Sequence, residues 1–76
     1  MVRQRTFETT IPIFGRPTRV TIRARCFVGM DGGPEPQIDE VIGPFREDLT
    51  LTVNDFDPDA LRAARKSVIA EWTEYP

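Results

Sequence analysis

Residues 16–27, "RPTRVTIRARCF", alternate two kinds of side chain: Val20, Ile22, Ala24 and Cys26 are apolar, and Arg19, Thr21, Arg23 and Arg25 between them are polar. Alternation of this kind is the period of a β-strand with one buried and one wet face. The stretch before it, "RTFETTIPIF" (5–14), is rich in Thr, Ile and Phe, and "FGRP" (14–17) carries the Gly and Pro of a turn. Two strands and a short loop predict an antiparallel hairpin. With Phe14 to Pro17 as the loop, Ile13 faces Thr18, Ile11 faces Val20, Thr9 faces Ile22, Phe7 faces Ala24 and Arg5 faces Cys26. That register puts Phe7, Ile11 and Ile13 on the face of Val20, Ile22, Ala24 and Cys26, and a slip of one residue would turn one apolar set to water. The other face carries Glu8 across from Arg23, Thr10 from Thr21 and Thr6 from Arg25, as the solvated side of a one-faced sheet would.

Beyond the hairpin, "GMDGGPEPQ" (29–37) reads as a loop, and "IDEVI" (38–42) and "LTLTV" (49–53) as two more strands separated by "GPFRED". Leu49, Leu51 and Val53 alternate cleanly. In the earlier strand Ile38 and Ile42 share a face while Val41 points away, which leaves that register open. The segment "NDFDPDALRAARKSVIAEW" (54–72) has the signals of a helix start: Asp57 as N-cap, Pro58 at the first position, Asp59 in the first turn, and Phe56 placed to pack on Leu61. Leu61, Ala64, Val68, Ile69 and Trp72 form one stripe and Arg62, Arg65 and Lys66 lie off it, so a helix is expected from about Pro58 to about Trp72. Together these elements predict an α+β fold over residues 1–76 as one domain: an antiparallel sheet of about four strands with one C-terminal helix packed on one face.

A 76-residue chain buries only about 60% of its unfolded surface, which leaves little room for an internal catalytic cavity. The chain has no histidine, the commonest general base and metal ligand near neutral pH. Its single cysteine, Cys26, has no partner for a disulfide or a zinc site and is expected among the core apolar residues, which suits a reducing, cytoplasmic setting. No stretch approaches the roughly 18 apolar residues of a membrane span, and "MVRQRTFETT" is too polar for a secretory signal. Asp55, Asp57 and Asp59 alternate like the start of a calcium loop, but Ala60 stands where such a loop needs glycine and Lys66 where it needs its closing Glu. "GMDGGPEP" lacks the spacing of a phosphate loop, and Ser67, the only serine, has no histidine to activate it. The expectation is a non-enzymatic chain with no metal and no cofactor.

Charge is uneven along the sequence. Through Phe27, six arginines face one acid, Glu8; from Val28 onward, eleven acids face Arg46, Arg62, Arg65 and Lys66, giving the net charge of −2. Such asymmetry is read in two ways, as an interaction surface or as two halves that lie side by side in a small fold and neutralise each other. The acidic candidates for partner binding are Asp31, Glu35, Asp39, Glu40, Glu47 and Asp48. The alternative is the basic face of Arg19, Arg23 and Arg25 on nucleic acid, because nine of the ten basic residues are arginine. Tyr75, beyond the helix, is a further contact candidate, whereas Trp72 belongs to the core stripe.

The order of features, with "VTIRARCFVGMDGGPEPQIDEV" (20–41) at its centre, resembles small accessory proteins encoded by tailed phages and prophages of GC-rich bacteria. The resemblance implies a cytoplasmic, anti-CRISPR-like or other anti-defence inhibitor. Such a protein binds a bacterial host protein or ribonucleoprotein complex, as a monomer or homodimer and away from membranes. It implies no particular contact residues.

Overall fold

The computed structural model describes residues 3–74. In chain order it contains β1 (Arg5–Ile13), β2 (Arg16–Val28), β3 (Pro34–Ile42), a π-helical turn (Thr52–Phe56) and α1 (Pro58–Glu74). The three strands form one antiparallel sheet in the order β1-β2-β3, and α1 packs across one face, so the α+β class and the terminal helix are as expected.

The hairpin between β1 and β2 is tighter than the sequence suggests. Only Phe14 and Gly15 form its turn, with φ of 48° and 83°. Positive φ at both central residues matches the right-handed twist of the strands, and glycine bears it without a Cβ penalty. The register becomes Ile13↔Arg16, Ile11↔Thr18, Thr9↔Val20, Phe7↔Ile22 and Arg5↔Ala24. This is two residues from the expected pairing, so the faces are preserved while every cross-strand neighbour changes. Phe14, which pays the steric cost, is held by its N–H donating to Asp57 Oδ2 at 2.5 Å.

β3 starts earlier than expected, at Pro34, and the loop before it shrinks to a turn closed by Gly29 N–H to Gly33 O at 2.7 Å. Its irregular apolar pattern has a definite cause. Arg23 pairs with Glu40, but Ala24 pairs with Ile38, so Asp39 is the extra residue of a β-bulge. The bulge resets the alternation, which lets Val41 be fully buried and Ile38 pack on the same core.

The expected fourth strand at "LTLTV" does not form. After one bridge, Ile42↔Asp48, the chain turns helical. Asp48 Oδ1 accepts the Thr50 N–H at 2.9 Å, a side-chain cap that favours a helical turn. Val53 N–H then bonds Leu49 O at 2.9 Å, so Leu49 and Val53 reach the core four residues apart while Leu51 is exposed. The apparent period of two was a period of four with one outlier. Where a fourth strand would have continued the ladder, Val41 N–H donates to the Thr50 hydroxyl at 2.9 Å.

The core consists of Ile11, Val20, Ile22, Ala24, Val41, Val53, Ala60, Ala64 and Val68, none of them aromatic. α1 turns Ala60, Ala64 and Val68 to the sheet, with Leu61, Ala63 and Trp72 at the margins. Small side chains at the centre of a helix let it approach a sheet closely, which is how Ala60 joins a stripe that sequence periodicity had begun at Leu61. Asp57 caps the helix as expected, Oδ1 accepting Ala60 N–H at 3.1 Å. Phe56, expected to pack on Leu61, instead leaves 66% of its surface exposed. Tyr75 lies outside the described residues. No helix among the described residues is long and apolar enough to cross a membrane.

Candidate functional site

The sheet face away from α1 carries the arginine stripe, and each of its arginines has an anion beside it. Arg19 contacts Glu8 at 3.2 Å, Arg23 contacts Glu40 at 2.6 Å, and Arg25 contacts Asp39 at 2.7 Å. The bulge makes this possible. On a regular strand Asp39 and Glu40 would point to opposite faces, but the extra residue brings both to the arginine side.

The three pairs differ in strength. Glu8 and Arg19 are both well exposed and joined by one contact, the kind of surface pair that contributes at most about 1 kcal/mol. Asp39 is enclosed: Arg25 donates from Nε at 3.1 Å and Nη2 at 2.7 Å, and Gln4 Nε2 donates at 3.0 Å. The Arg25 hydrogen bonds, aided by those of Gln4 and the nearby guanidiniums, hold the Asp39 carboxyl below the usual aspartate range against a smaller opposing effect of burial. The same pairing raises Arg25 above its ordinary value. Arg25 also reaches over the Phe27 ring, 5.9 Å from its centroid.

The six acidic candidates therefore occupy three places. Asp39 and Glu40 are engaged by Arg25 and Arg23 in mid-sheet. Glu47 and Asp48 lie in the turn after β3, where Glu47 Oε2 accepts Phe45 N–H at 2.8 Å. Hydrogen bonds from the Thr50 hydroxyl and N–H hold Asp48 below its ordinary pKa. Asp31 and Glu35 sit at the β2–β3 hairpin tip. Asp31 accepts the Gly33 N–H at 3.0 Å, and neither acid forms an ion pair among the described residues. The tip also carries Val28, 81% exposed, and Met30, fully exposed. Sequence reasoning singled out neither, although both stand beside a Gly-rich turn, where a large apolar side chain has nothing to pack on.

A second feature absent from the sequence reading lies on the stripe face. Where β3 leaves the sheet, a groove of about 550 Å³ opens between β2 and the turn at 43–48, lined by Arg19, Thr21, Ile42, Pro44 and Arg46 among others. Arg46 is in the left-handed region at φ 64°. Among the described residues, no group of three His, Cys, Asp or Glu side chains is placed to hold a metal ion. Cys26 is a free thiol, half-buried against the core, and Ser67 shares a 3.3 Å hydrogen bond with Thr9 between α1 and β1.

Comparison of the chain with protein-family models, with curated proteins and with solved structures gives no match.

Proposed function

We propose that the chain is a non-enzymatic binding module that docks on a protein partner through the β2–β3 hairpin tip. One observation carries this reading: Asp31 and Glu35, without cationic partners among the described residues, stand beside the exposed Val28 and the fully exposed Met30. A flexible thioether beside carboxylates fits an apolar recess with a Lys/Arg rim, where the charges speed and orient docking and the methionine fills the recess. Complexes that handle nucleic acid present such basic surfaces. The finer reading is therefore a phage-type, anti-CRISPR-like inhibitor of a bacterial host-defence or other nucleic-acid-handling complex. The alternative, nucleic acid on the Arg19, Arg23 and Arg25 face, has less support, because phosphates would have to displace Glu8, Glu40 and Asp39 from guanidiniums they already occupy.

Site-specific cross-linking tests the reading. A photoreactive phenylalanine analogue replaces Met30 in one sample and Thr10, exposed on the stripe face, in another, and each is irradiated in bacterial lysate. A discrete protein adduct formed from position 30 alone is expected. Adducts to nucleic acid, or protein adducts from position 10 alone, would contradict it.

A further inference from the structure

The groove between β2 and the turn at 43–48 holds two guanidiniums of different standing. Arg19 is joined to Glu8 by a single 3.2 Å contact between exposed side chains. Arg46 makes no side-chain hydrogen bond or ion pair with any described residue. Its backbone is fixed by Arg46 N–H to Gly43 O at 3.0 Å and Gly43 N–H to Glu47 O at 2.8 Å, in a left-handed conformation that glycine or asparagine would adopt more easily. A strained arginine lining a groove is the kind of backbone outlier that marks a ligand site. Thr21 lines the same groove with a hydroxyl that has no described partner, and Ile42 and Pro44 supply apolar surface.

We propose that this groove binds a phosphate monoester, held by Arg46 and Arg19 with the Thr21 hydroxyl as a third donor. Charge selects this class over a carboxylate. A monocarboxylate offers Arg19 nothing that Glu8, tethered on the neighbouring strand at high effective concentration, does not already provide. A dianion with three terminal oxygens can engage both guanidinium forks at once and so displace Glu8. The groove is larger than one phosphate, and its apolar residues suit a ligand with a small organic body. The site is independent of the hairpin tip, so it stands or falls apart from the proposed docking.

The test is a nuclear magnetic resonance titration of the full chain at low ionic strength with inorganic phosphate, AMP, benzoate, or a short oligonucleotide without terminal phosphates. Phosphate and AMP should shift the resonances of Thr21, Gly43 and Arg46, and benzoate should not. Tighter binding of AMP assigns the apolar residues to the ligand's body; equal binding assigns the site to free phosphate. Arg46→Gly removes the guanidinium and relieves the backbone, so affinity should fall about tenfold or more while the melting temperature holds or rises. Glu8→Gln frees Arg19 and should tighten binding severalfold. Lowering the pH from about 7.5 to about 5.5 should weaken binding as the monoester dianion takes up one proton and becomes a monoanion. Unchanged affinity in Arg46→Gly, weaker or unchanged binding in Glu8→Gln, or benzoate or the oligonucleotide binding as tightly as phosphate would overturn the proposal.

Discussion

Asp57, only 6% exposed, joins the two ends of the sequence with one carboxylate: Oδ1 closes the first turn of α1 and Oδ2 holds the Phe14 N–H of the β1–β2 turn. Removing it strips both N–H groups of their acceptor. Asp57→Ala should therefore cost about 2 kcal/mol or more, read as a lower urea midpoint at unchanged slope, and Asp57→Asn, which keeps an acceptor oxygen, should cost less. The cap was legible from Asp-Pro-Asp; the bond to Phe14 was not, because it spans 43 residues. Asp39 is the second informative residue. Its carboxyl titrates lower in the folded chain than in the unfolded one, because Arg25 and Gln4 bond the ionised form. Its contribution is therefore fully present above the unfolded value of about 3.9 and is lost as the pH falls through the folded value. Asp39→Asn should be less stable than the wild type at neutral pH, and the gap should close below about pH 4; a gap constant with pH would contradict the pairing. The bulge that makes the pair possible left only one trace in the sequence, the phase break between Ile38 and Val41.

At the scale of elements, the clearest departure from the sequence is "LTLTV". Leu49, Leu51 and Val53 fit a strand as well as they fit a helical turn with one exposed residue, and periodicity over five residues cannot separate the two. What decides is polar: Asp48 caps the Thr50 N–H, and the Thr50 hydroxyl satisfies Val41 N–H, closing the edge of β3 without a fourth strand. Thr50→Val keeps the shape and removes the acceptor, so it should cost about 1–3 kcal/mol, with Thr50→Ser close to wild type. Equal stability of all three in thermal melts would show that the hydroxyl does not hold this edge. α1 was legible because cap, proline and stripe agree, and its sheet contact can be tested directly. Val68 is fully buried, so Val68→Ala should cost about 2 kcal/mol from lost transfer energy and the cavity left behind. Leu61→Ala, at the half-buried margin, should cost less. Both faces of the β1–β2 hairpin were legible as well, but its register was not, since Phe-Gly lacks the Asn-Gly or Asp-Gly signature of a two-residue turn.

The whole molecule is elongated, 33 × 20 × 18 Å, with the β1–β2 turn beside the start of α1 and the β2–β3 tip beyond the paired part of β1. Its open sheet edges carry prolines. Given the register, alternate residues point their backbone outward, and Pro12 on β1, Pro17 on the part of β2 not covered by β3, and Pro34 and Pro36 on β3 all fall at such positions. Proline has no N–H to offer an incoming strand, so these edges resist strand addition. Pro12→Thr with Pro36→Thr should accordingly associate, by sedimentation, at concentrations where the wild type sediments as a single small species. With the edges blunted and the arginine stripe matched by its own acids, the proposed docking surface is the β2–β3 tip, where Asp31 and Glu35 lack cationic partners among the described residues beside the exposed Val28 and Met30. That claim meets its most direct test in the affinity of the partner recovered by cross-linking at position 30, measured for two sets of substitutions with folding checked by circular dichroism. One set is Asp31→Lys with Glu35→Lys; the other is Arg19→Gln, Arg23→Gln and Arg25→Gln. Loss of binding with the tip set, and retention with the arginine set, is the predicted result. Loss with the arginine set alone would contradict it.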